Sequence, residues 1–134
     1  MTQAGAGEAV QRYLRHSRQY LENALLALRR QEAAKAGELL WGSVAEMLQA
    51  VAASWRVPIH SHRDLKNFAI QLGRDLGDST LQRDVALAES LHQNFYVVAL
   101  EPQDIEAVLP TVQDLLPKLA ALIPPEATQE QAHV

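Results

Sequence analysis

Apolar residues recur every three to four positions along almost the whole chain, and no stretch alternates with period two over a useful length. This pattern confines the fold to packed helices, because a strand buried on one face needs alternation. β-Branched residues are sparse, which points the same way. The expected fold class is all-α: an antiparallel up-and-down bundle of about five helices, with short connections joining neighbours.

The first helix is expected over about 8–30, with Val10, Tyr13, Leu14, Ser17, Leu21, Ala24, Leu25 and Leu28 inward and Arg12, Arg15, Arg18, Glu22 and Arg29 outward. The second covers about 32–54 on Leu39, Leu40, Val44, Met47, Leu48 and Val51. Two glycines interrupt it, at a cost in helix propensity. Either they mark the close approach of another helix, or Gly37 ends the loop and the helix starts later. Pro58 then breaks the chain within Trp55–His60. Ser61 is an N-cap for a third helix through Leu65, Phe68, Ala69, Leu72 and Leu76, which Gly77 ends. Asp78 and Ser79 open a fourth to about Leu100, with Ser79 and Gln82 spaced as a capping box. Pro102 starts a fifth, and of its internal Pro110 and Pro117 one is expected to kink the helix and the other to break it. The domain reading is therefore a disordered lead-in over 1–7, a bundle over 8–123 and a flexible tail over 124–134.

With 134 residues and 48% apolar side chains, the chain can fill one core. It has no cysteine, which excludes disulfides, thiol nucleophiles and thiolate metal sites. It also has no run of eighteen apolar residues, and MTQAGAGEAVQRYLR lacks the apolar stretch expected of a signal peptide. A cytoplasmic location without membrane contact is expected. The net charge of −4 conceals an asymmetry, since residues 1–67 carry a net +3 and residues 68–134 a net −7. Phosphate-gripping proteins show a stronger basic bias, so only the first half leaves nucleic acid open as a partner. Opposite-signed faces equally suit self-association.

Chemistry is most readable in the histidines. His60 and His62 lie on one turn, and two imidazoles there would share a metal only with a third ligand such as His92 or Glu89. The plainer reading leaves His60 in solvent and His62 beside Leu65. No cofactor is expected. On the fourth helix, Glu89, His92 and Tyr96 share one face. They suit either a proton-handling group or a polar seam between helices, and the seam is preferred. Phosphate loops and the His-Glu-x-x-His zinc motif are absent.

The blocks LLWGSVAEMLQAVA, HSHRDL and LHQNFY resemble the small helical archaeal-repeat proteins of PaREP type, which are placed with the HEPN superfamily. The resemblance implies an up-and-down bundle, commonly a homodimer. It also implies a nucleotidyltransferase-type partner in toxin–antitoxin or defence systems. Active members are metal-independent ribonucleases that use an arginine and a histidine four to six residues apart. Arg56 and His62 have that spacing but fall at the junction of the second and third helices, whereas Arg83 and His92 are too far apart. The resemblance therefore implies a non-catalytic, self-associating binding or adaptor module. The alternative is a ribonuclease or nucleotide-binding protein with RNA or a nucleotide as ligand and Arg56, His62 and His92 as candidate catalytic residues.

Overall fold

The computed structural model describes residues 2–93 and 100–129. Among them six helices form the bundle: α1 (Thr2–Arg29), α2 (Ala33–Ser54), α3 (His62–Leu76), α4 (Ser79–Gln93), α5 (Pro102–Ala120) and α6 (Pro125–Gln129). The described residues contain no strand, as the missing period-two alternation requires.

α2 is the centre of the packing. It touches α1, α3, α4 and α5, whereas α1 lies mainly along α2 and is crossed near its start by α6. Twelve of the 22 residues of α2 are buried, an arc wider than an ordinary amphipathic stripe. Leu40, Val44, Leu48 and Val51 form its fully enclosed side, joined there by Leu72, Leu81, Ile105, Leu115 and Leu119 from the other helices. Because α2 begins at Ala33, Gly37 is interior to the helix and does not end a loop. A Cβ at Gly37 would stand 3.2 Å from side-chain carbons of Ile105 and Leu100, and one at Gly42 would stand 3.3 Å from the Tyr20 ring. Both glycines thus mark close approaches to α2. Between α1 and α2, buried Ser17 donates from its Oγ to the Ser43 carbonyl at 2.8 Å, which satisfies a polar group inside the seam.

Helix ends follow local chemistry. Ser61 caps α3, its Oγ accepting from the Asp64 N–H, and Gly77 ends it in the left-handed conformation. The cap of α4 is Asp78 rather than Ser79: its Oδ1 accepts from the Thr80 and Leu81 N–H groups. An aspartate reaches those amides from a position already outside the helix, as an N-cap must. The other Asp78 oxygen binds Lys118 of α5 at 2.5 Å. Lys118, and then the Thr80 hydroxyl, hold this carboxyl well below the usual carboxylate range. Trp55 performs a similar tie just past the same, C-terminal end of α5: its indole N–H donates to the Leu122 carbonyl while its ring meets Phe68 edge-on.

Three details of the structure differ from the expected helix layout. α1 reaches back to Thr2 through the 1–7 lead-in, where Gly7 is buried and lies with Ala6 in a crevice beside Pro124 and Ala127. Residues 125–129 of the supposed tail form α6, with Ala127 packed against the core. Neither Pro110 nor Pro117 breaks α5. Both face solvent, so the carbonyls of Glu106 and Gln113 that lose an amide partner turn toward water.

Asp78→Asn is expected to lower the unfolding temperature at neutral pH. A carboxyl held low in the folded state contributes stability above its unfolded value of about 3.9, and that contribution fades as pH falls toward the folded value. The gap between parent and variant should therefore stay constant from pH 7 to about 5 and narrow below about 4. Thermal melts across that range check it.

Candidate functional site

Where α2, α3 and α4 meet, five side chains from these helices form a continuous polar seam. His62 is the first residue of α3, and its cap at Ser61 aims the ring back toward α4. Its Nε2–H donates to Glu89 Oε2 at 2.5 Å. Glu89 is one α4 turn before His92, and its side chain is only 8% exposed, whereas that of His62 is 52% exposed. Burying a carboxylate is costly unless it is paired, so the imidazole and the more distant Lys66 ammonium (3.9 Å) keep Glu89 satisfied. His92 Nδ1–H donates to Glu38 Oε1 on α2 at 2.8 Å. The two imidazole rings lie 6.2 Å apart, tilted by 39°, and the Trp41 ring of α2 meets His62 edge-on at 5.9 Å.

This geometry shows where the residues singled out in the sequence lie. His62 does not simply pack beside Leu65; it couples α3 to α4. His92 couples α4 to α2. Among the described residues, no buried side-chain nitrogen or oxygen lacks a hydrogen-bond partner. Tyr96, placed on the same face by its spacing, lies outside the described residues. His60 is exposed, and only its backbone N–H is engaged, by Asp64 Oδ2 at 2.9 Å. Among the described residues no group of three or more histidines and acids is arranged to hold a metal. Each imidazole instead spends the nitrogen facing the seam on a carboxylate.

Arg56 is elsewhere. It follows α2 as the residue that ends it, at φ 58°, with the Val57 N–H returning to the Ala52 carbonyl and its own N–H to Ala53. That is a helix C-terminus of the kind usually assigned to glycine. The arginine lines a crevice with Ala6, Gly7, Pro124 and Glu126. Trp41, which touches His62, precedes Arg56 by fifteen residues, or about 22 Å of helix rise. Within one chain the Arg56–His62 pair of the expected ribonuclease motif is therefore not brought together. Arg83 pairs with its neighbour Asp84 on the exposed side of α4.

Sequence reasoning missed Glu38, Trp41 and Lys66. No local pattern singles them out, since each gains its partner only when α2 and α3 pack against α4. The short apolar depression over Tyr20, Leu39, Gly42 and Ala45, edged by Glu38 and Glu46, was equally invisible. It lies beside the seam and shares Glu38 with it.

Glu89→Ala is expected to cost about 1–3 kcal/mol in urea unfolding, because it strands a short, largely buried charge-assisted bond. Glu38→Ala should cost under about 1 kcal/mol, its carboxylate being exposed to solvent screening. Equal costs would show that burial does not set the energetics of the seam. Arg56→Gly should raise stability by up to about 1 kcal/mol, since glycine adopts a left-handed terminus without strain. Thermal melts of the variant give the sign.

No curated protein and no solved structure matches the chain. A family model does: that of the archaeal PaREP1/PaREP8 family, over residues 12–116. The matched span runs from α1 through most of α5 and contains the whole polar seam, so the chain belongs to the archaeal PaREP1/PaREP8 family.

Proposed function

We propose that the protein is a HEPN-like binding or adaptor module that self-associates and has no catalytic activity of its own. The observation that carries this reading is how the site's ionisable groups are used. His62 and His92 are each committed to a glutamate on another helix, and Arg56, set apart, ends a helix. Catalysis of RNA cleavage needs a base and a cation converging on one phosphate, within hydrogen-bond reach of the reacting atoms. A seam whose donors and acceptors satisfy one another serves instead to fix three helices in register.

Binding by such a module falls to the surface the bundle leaves uncovered. The outer strip of α2 and the neighbouring edge of α1 offer Tyr20 and Leu26, both exposed, with Leu39, Gly42 and Ala45 between them. An apolar strip edged by charges is the kind of surface that meets another protein. A second copy is one partner in this reading, and a nucleotidyltransferase-type protein of a toxin–antitoxin or defence system is the other. The HEPN assignment rests on the sequence blocks and the helical bundle together.

A second reading, a metal-independent ribonuclease or nucleotide-binding protein, draws on one observation. The exposed His62 ring is oriented by a buried carboxylate, an arrangement also found behind general bases.

Two measurements separate them. Sedimentation equilibrium at high micromolar concentration is expected to give a dimer, and a strict monomer would overturn the self-association reading. Incubation with single-stranded RNA in chelator is expected to give no cleavage. Cleavage that disappears in His62→Ala or Arg56→Ala protein would establish the ribonuclease instead.

A further inference from the structure

The uncovered strip of α2 is self-complementary. At 100° per residue, Gly42, Lys35, Glu46 and Leu39 project within about 60° of one another around the helix axis. Along the axis they are placed symmetrically about the point midway between Leu39 and Gly42, with Leu39 and Gly42 as the inner pair and Lys35 and Glu46 as the outer pair. Size and charge alternate across that point: a leucine opposes a glycine, and a cation opposes an anion.

An isologous contact needs this arrangement, because a two-fold axis sets residue i of one copy against j of the other and j against i. We propose that two copies of this chain associate through α2, antiparallel, about a two-fold axis between Leu39 and Gly42. Leu39 of each copy fills the depression over Gly42 and Tyr20 of the other, and Lys35 of each faces Glu46 of the other. This proposal rests on the self-association reading above and names its surface.

The strip supplies the parts. Lys35 is exposed, and among the described residues no acid lies within ion-pair distance of it. Glu46 meets His16 through Oε1 at 3.3 Å. Gly42 is partly exposed, bounded on one side by the Tyr20 ring. Leu39 lines both the depression over Gly42 and the crevice beside it that holds Leu26, Arg30 and Lys35, so the two are one continuous surface. The other charges along this surface are Arg30 and Glu32 at the α1–α2 turn and Glu38, already bonded to His92. Opposite charges displaced along one strip disfavour a parallel register, which would bring like charges together, and favour the antiparallel one.

Sedimentation equilibrium of the full chain at moderate ionic strength tests the assignment, with circular dichroism confirming that each variant is folded. Lys35→Glu and Glu46→Lys should each weaken self-association about tenfold or more, because each turns two attractions into two repulsions. An equimolar mixture of the two variants should recover parental association, since both contacts of the mixed dimer then pair a glutamate with a lysine. The double variant should recover it as well. Failure of the mixture to recover, or single variants that associate like the parent, overturns this interface while self-association stands. A parent that stays monomeric overturns both.

Discussion

The burial of α2 is the interaction on which the rest of the structure depends. A helix with twelve of 22 residues enclosed cannot be covered by one neighbour. α1 covers one flank, α3 and α4 the other, and α5 the inner side; α1 and α5 pack chiefly on α2, α4 shares its packing among α2, α3 and α5, and α3 reaches α2 mainly through α4. Small residues set the distances. Gly37 admits Ile105 and Leu100, and Gly42 admits the Tyr20 ring. Helices brought this close exclude water from the leucine and valine side chains between them, which is where the hydrophobic stabilisation of a bundle resides.

Such burial explains why the polar groups sit where they do. α2 is enclosed except on one strip, and the histidine–glutamate seam runs along the border of that strip. Glu89 lies on the buried side and Glu38 on the exposed side. The seam therefore grades from a desolvated pair, whose rupture is expensive, to a screened pair near solvent. This gradient fixes α3 and α4 against α2 and leaves a partly polar rim beside the uncovered apolar surface.

Much of the fold was legible because helices announce themselves locally. The 3.6 period located the cores of α1 to α5, and the caps at Ser61 and Gly77 and the first-turn position of Pro102 were readable from residue type alone. Misreadings arose where tertiary contacts overrode local rules. Pro110 and Pro117 look disruptive in sequence but are harmless on a solvent-facing side. Residues 2–7 and 125–129 carry weak periodicity, yet each forms helix where α1 and α6 cross. For the site, His62, His92 and Glu89 stood out by residue type, but their partners Glu38, Trp41 and Lys66 did not. A spacing of five residues between Arg56 and His62 suggested a pair, but an extended connection followed by a helix start carries them to different levels of the bundle.

Native-state hydrogen exchange is the most direct test of the central place of α2. Amides from Leu40 to Val51 should exchange slowest in the molecule, through global unfolding, with opening free energies equal to the stability measured by denaturant. Those of α6 and the ends of α3 should exchange sooner by local opening. If α2 amides exchange through local opening while α1 or α5 stays protected, α2 is not the element on which the others depend.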